Sequence, residues 1–201
     1  GSNVNELGCL KKEYKNRIDI TGINMSDMIL ENVNFRGTIL ENSVFDMAQL
    51  DQADFREALL YQSTFINADL QYADMNCAQL KEAKFFNSFM KGVELSNADL
   101  SQAMLVGSNL RNANLYKANL SSTYLGVNMG LYRKEIATRN ILDLREADLS
   151  DANLTGAQLI KVDLRGAKNL ETIKQLKGIK CENSIINRES YNALPYDFRI
   201  N

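Results

Sequence analysis

Twenty-five carboxylates, 23 lysine or arginine side chains, three cysteines and no histidine are what this 201-residue chain has for doing chemistry. Without histidine, the Ser-His-Asp and Cys-His nucleophile systems and the usual zinc sites are excluded. A catalytic lysine or a carboxylate pair remains chemically open. The carboxylates, however, recur in one fixed context, as in Asn-Ala-Asp-Leu at 97–100. That places them at even intervals on a solvated surface, with no pocket to shift a pKa. No catalytic residue, cofactor or metal ligand is assigned, and the chain reads as a non-enzyme. Cys9, Cys77 and Cys181 have neither a metal spacing nor the look of a disulfide framework. Their spacing predicts reduced thiols and a cytoplasmic setting.

The elements that carry these residues are set by a period of five. From Ile20 to Leu125 the central residue of all 22 successive pentads is apolar, and two places earlier 17 of the 22 residues are Ala, Ser or Thr. Five matches neither the 3.6 of a helix nor the 2 of a strand. It suits a chain that turns a corner every five residues, points a large and a small residue inward each time and leaves the other three to water.

Ala-Asp/Asn-Leu-x-x in tandem, over residues 18–127 and again over 142–166, resembles the pentapeptide-repeat family. The resemblance implies an all-β solenoid, a right-handed quadrilateral parallel β-helix with four pentads per coil. The centres from 35 to 70 alternate Phe and Leu, a check on four sides. Four sides gather Phe35 and Phe55 in one column and Phe45, Phe65 and Phe85 in the opposite one. Coils about 4.8 Å apart would stack those rings. Leu80 and Leu100 join the phenylalanines as expected core, in a rod of nearly seven coils, roughly 30 Å long.

The chain divides accordingly. Residues 1–17 hold a tag remnant (Gly1-Ser2) and a short amphipathic capping helix, with Leu7, Leu10 and Tyr14 on one face. Covering the first coil would shield its unpaired edge. The β-helix follows over 18–127, with bulky residues at the small positions of its first coil. Between 128 and 141 the register breaks into a loop or short helix that holds Arg133, Lys134 and Arg139. The repeat resumes over 142–167. Residues 168–201 read as a capping helix, with Asn169 as N-cap and Leu170, Ile173, Leu176 and Ile179 on one face, then an extended stretch and a tail.

Charge and apolar surface bear on partners. Residues 18–75 carry ten acids against Arg36 and Arg56, while the chain as a whole is at −2. There is no basic stripe for nucleic acid and no apolar run long enough to span a membrane. The position after each centre faces outward, which sets Ile66, Phe86 and Val106 one above another, with Phe89, Met104 and Tyr124 nearby. An exposed stripe of that size marks a protein interface. The expected function is a non-catalytic interaction scaffold that binds another protein, or a second copy of itself, through this stripe. Some members of the family imitate duplex DNA and bind type II topoisomerases, so the resemblance supplies an alternative: an acidic mimic of DNA acting on gyrase.

Overall fold

From Asp19 to Met104 every residue before a pentad centre pairs in parallel with the residue 20 positions on, as in Asp19 with Ile39, Ile39 with Leu59 and Leu59 with Gln79. The computed structural model describes residues 9, 16–126, 141–173, 180–182 and 184. In these the chain winds as a four-sided β-helix. The outward ladders define the sides: the first through Asp19, Ile39 and Leu59, the second through Asn24, Val44 and Thr64, the third through Ile29, Gln49 and Asp69, the fourth through Asn34, Asp54 and Asp74.

The corner explains the period. The carbonyl of each centre accepts from the N–H three residues on, as Phe45 from Ala48 at 3.1 Å and Leu100 from Ala103 at 3.0 Å. The second corner residue takes a positive φ, for example 57° at Asn67 and 58° at Tyr72. A hydrogen-bonded turn with a left-handed third residue is the type II pattern. For residues other than glycine this costs about 1–2 kcal/mol per corner. The same residue's N–H offsets it by donating to the next coil, as Asn67 does to Phe86 at 2.9 Å.

The Asp/Asn of the repeat has a local task. Its Oδ1 accepts from the N–H two residues on, as at Asp54 to Arg56, Asp99 to Ser101 and Asn119 to Ser121, each at 3.0–3.1 Å. This Asx turn pairs a corner N–H that makes no bond to the neighbouring coil. The repeated carboxylate is therefore first a turn former.

Inside, the phenylalanines stack in two columns. Phe45 to Phe65 and Phe65 to Phe85 are 5.0 and 4.9 Å between centroids, with ring planes nearly parallel; Phe35 to Phe55 is 5.2 Å. The columns meet edge to face, as Phe55 and Phe65 do at 5.9 Å. Leu80 and Leu100 are fully buried, as are the small residues beside them. In the first coil Ile20, Ile23, Met25, Leu30 and Val33 are only partly buried.

Asn109 pairs with Asp143 rather than with a residue 20 on, so the 14 residues of the insertion leave the rod at the corner between the second and third sides. The insertion, with Arg133, Lys134 and Arg139, lies outside the described residues. At the far end Asn169 precedes a 3-10 helix at Leu170–Thr172 but makes no capping bond. Its φ of 57° swings the side chain outward, where its amide donates to Asp148 and Ser150. Leu170 fills the interior instead. Lys180–Glu182 returns as a parallel strand on Gln158–Ile160, so the described C-terminal residues extend the ladder; the rest of the expected capping helix, with Leu176 and Ile179, and the tail lie outside the described residues.

The expectation of free thiols fails at Cys9 and Cys77. Cys9 is disulfide-bonded to Cys77, its sulfur 3.5 Å from the Asn97 carbonyl oxygen. Arg17 Nη1 donates to the Glu57 carbonyl at 2.6 Å. Glu57, Cys77 and Asn97 are successive residues of one corner, between the fourth and first sides. The described part of the N-terminal stretch thus lies along that corner and not across the first coil; the helix expected at 3–17 falls otherwise outside the described residues.

Two stability experiments follow. Leu80→Ala should cost about 2–5 kcal/mol, and Ala73→Leu about 1–3 kcal/mol because the coils leave it no room; urea midpoints measure both. Reduction, or Cys77→Ser, opens a closure across 68 residues and should lower stability by up to about 4 kcal/mol. Thermal unfolding with and without reductant reads this directly, and Cys77→Ser should abolish the reductant's effect.

Candidate interaction surface

The outward stripe of the second side proves to be covered. Ile66, Phe86 and Val106 do stand in one column, but Phe86 and Val106 are only 8% and 3% exposed within the single chain. They form a small cluster of their own with Ile66 and Met104, outside the main core. The column continues through Gly126 to Ile160. A Cβ on Gly126 would lie 1.5 Å from the Ile160 carbonyl oxygen, so glycine is what lets the backbone close there. Ile66, Met104 and Tyr124 are half-buried. The spacing rule gave these side chains their direction away from the core but carried no information about what packs over them.

The exposed apolar surface lies one side further on. Phe89, on the third side, is 53% exposed, with Tyr72 and Ile141 also exposed on that side or at its corner. Phe89 and Ile141 flank a groove of about 450 Å³ over Ser88 and Ser108, lined also by Asn67, Asn87, Asn109 and Asp143. The floor is rigid. Ser88 Oγ donates to the Phe65 carbonyl at 2.6 Å, and Ser108 Oγ donates to that of Phe85. The Tyr72 ring lies against Gly92, where a Cβ would come within 2.6 Å of it. Lys91 Nζ stands 5.9 Å from the same ring centroid. Tyr72 and Ile141 were missed in the sequence because each sits at an irregular place, a corner and the end of the insertion.

Charge on this side is paired in rows. Arg145 clamps Asp143 at 2.7 Å and lies 3.7 Å from Asp163 one coil on; Arg165 clamps Asp163 at 2.6 Å. The Arg165 guanidinium holds the Asp163 carboxyl below its ordinary range. On the fourth side Arg56 does the same for Asp54. Asp74, between Asp54 and Glu94, is shifted the other way: burial raises it, and the two neighbouring acids add to the rise. Of these groups only Asp143 lines the groove. Among the described residues no cluster of acid or thiol side chains is arranged to hold a metal ion, and no helix is long and apolar enough to cross a membrane.

The signs give a pH experiment. Asp54 and Asp163, with lowered folded pKa values, add stability that is present at neutral pH and lost as pH falls through those values. Asp74, with a raised one, opposes folding at neutral pH, and that penalty is relieved on protonation. Asp74→Asn keeps the Oδ1 that accepts from Asn76 and should raise the melting temperature slightly at pH 7, with the gain vanishing as pH falls through the raised pKa. A loss at pH 7 would mean that the 3.5 Å contact with Arg56 outweighs desolvation.

The solved structures that match include HetL of the cyanobacterium Nostoc, a pentapeptide repeat protein involved in heterocyst differentiation regulation, at 24% identity over 84% of this chain and 87% of that one, TM-score 0.30. QnrB1, a plasmid-mediated fluoroquinolone resistance protein, matches at 12% identity over 86% and 91%, TM-score 0.40. A pentapeptide repeat protein of the Arabidopsis thaliana thylakoid lumen matches at 24% identity over 65% and 68%, TM-score 0.24. These likenesses are too slight to carry a function across. None of the curated proteins matches the chain. The family model for pentapeptide repeats fits in 8 copies over residues 48–87, 94–126 and 142–168, the stretches whose outward ladder was traced above, and the chain belongs to the pentapeptide repeat family.

Proposed function

We propose that the protein is a non-catalytic scaffold that binds another protein through its third side. The observation that carries this is Phe89, a large aromatic residue held half in water on a rigid ladder, beside Tyr72, Ile141 and the serine-floored groove. An aromatic anchor next to a pocket with paired charges at its rim is the composition of a binding hot spot. The buried stripe at Ile66, Phe86 and Val106 then belongs to folding, and the interface moves from it to its exposed neighbour Phe89. The Cys9–Cys77 bond supports maturation in an oxidising compartment in place of the reducing cytoplasm.

The DNA-mimic reading rests on the acidic half of the rod. Against it, the ten acids of residues 18–75 are spread over all four sides, with Asp19 and Glu41 on the first, Asp46 on the second, Asp51 and Asp69 on the third and Asp54 and Asp74 on the fourth. They form no pair of rows such as a duplex presents. Gyrase supercoiling unchanged by micromolar protein is the expected result.

Substitution separates the two apolar surfaces. Phe89→Glu should leave the melting temperature unchanged and abolish affinity capture of the partner. Phe86→Glu should instead destabilise the fold by several kcal/mol, since it places a charge in a covered site. If Phe89→Glu captures the same proteins as wild type, the third side is not the interface.

A further inference from the structure

We propose that the N-terminal end of the rod is a self-association site, at which two copies stack head to head about a two-fold axis through their second and fourth sides.

In the ladder, the residue before each centre aims both its N–H and its C=O at the preceding coil. Ile39 donates to Ile18 at 2.8 Å and accepts from Ile20 at 3.0 Å. In the first coil the residues in that position are Asp19, Asn24, Ile29 and Asn34. Among the described residues their N–H and C=O groups make no hydrogen bond. Four backbone edges in a square thus point out of the end of the rod. The centre of the square is apolar and incompletely covered, through Ile20, Met25 and Leu30. At its rim Ile18 and Ile29 are 70% and 72% exposed. Solenoids need their ends closed, and an open apolar edge invites pairing. Of the residues described ahead of the first ladder residue, Arg17 is held at the Glu57 corner and Cys9 further up at Cys77, and neither lies over the square.

The geometry selects the occupant. A single added strand satisfies one edge and leaves three open. A second copy, turned end over end about an axis perpendicular to the rod, presents four edges of the same spacing. The rotation reverses every facing strand, so all four pairs become antiparallel together. A residue with both groups aimed outward is what a hydrogen-bonded antiparallel pair requires, each partner giving and taking one bond. With the axis through the second and fourth sides, Asn24 faces Asn24, Asn34 faces Asn34, and Asp19 faces Ile29. The Glu31 corner then meets the Arg36 corner. An axis through the first and third sides would set Asp19 against Asp19 and bring Asp27 beside Glu31. An axis through opposite corners would set Glu31 against Glu31, or Asp27 against Asp27 and Arg36 against Arg36, so charge selects the axis through the second and fourth sides among the four that a square allows.

The test is the mass of the full chain by light scattering across a concentration series, for wild type and two variants at one exposed position. Ile29→Asp sets acid against Asp19 of the other copy, and Ile29→Lys sets a cation there. Wild type should reach the dimer mass. Ile29→Asp should raise the dissociation constant by about tenfold or more, while Ile29→Lys should leave it unchanged or lower it. Unfolding midpoints at monomeric concentration verify that both variants fold. A wild type that is monomeric at every concentration overturns the proposal, as does a dimer that treats the two variants alike. Phe89→Glu, on the third side, should leave the dimer intact, so that loss of the scaffold reading and loss of this one are distinguishable.

Discussion

The bond on which the rod depends is the one from each corner N–H to the carbonyl of the next coil. It is what makes a left-handed residue tolerable at nearly every corner, including at Met47, Tyr72, Cys77 and Lys117, none of which favours that conformation. The bond exists only if successive coils stay in register, and register is kept by the centre residues, whose size sets the girth. Packing and hydrogen bonding are in this way one constraint. A cavity at Leu80 loosens the column beneath it, and the column loosens the ladder. Stability in such a chain is close to a sum over neighbouring coils, which is why the disulfide matters: it ties the chain ahead of the first coil to the third coil at Cys77 and joins units that the ladder couples only in sequence.

Much of this was legible in the sequence because the repeat states it many times over. The alternation of Phe and Leu from 35 to 70 announces four sides, and the rings stack accordingly. The slip of one residue after 127 locates the insertion at a corner. What could not be read shares a physical cause: a periodic pattern describes each coil's relation to its neighbours and is silent about anything lying alongside the rod. Cys9 and Cys77, 68 residues apart, are neighbours because Cys9 stands beside a corner of the third coil. Phe86 points outward as its position requires, yet it is buried. Asn169 occupies a helix start by sequence, but it stands where the ladder still prescribes a centre and, being unable to fill one, turns out to donate to Asp148 and Ser150.

The same distinction orders the surface chemically. The Asp/Asn of the repeat is first a turn former, so acid content alone says little about partners. Glu94 makes the same bond, to the N–H of Ser96; where the ladder residue is apolar the side chain is released from the turn, and those exceptions are informative. The second side carries Val44, Thr64, Lys84, Met104 and Tyr124 in that position and is the side with the buried outward pair Phe86 and Val106. The third side carries Ile29, Gln49 and Phe89 in that position, the last between Asp69 and Asn109 and beside a groove. A scaffold of identical coils becomes specific at the places where its repeat is broken.

A rod of this kind has two sorts of surface with different energetics. Its flanks have every backbone group paired or turned to water, so a partner there gains affinity from side chains, and one residue such as Phe89 can dominate. Its ends present unpaired backbone, where affinity grows with the number of edges matched at once. The described N-terminal residues lie along a corner and leave the first coil's edge open, which fits an end used for pairing better than one sealed for solubility. Flank and end do not compete for the same residues: Phe89 is three coils from Asp19 and Ile29. Two copies joined at their ends would carry two third sides on one rigid axis, and a partner with two matching sites would meet them at a fixed separation, converting a modest single contact into a tighter double one.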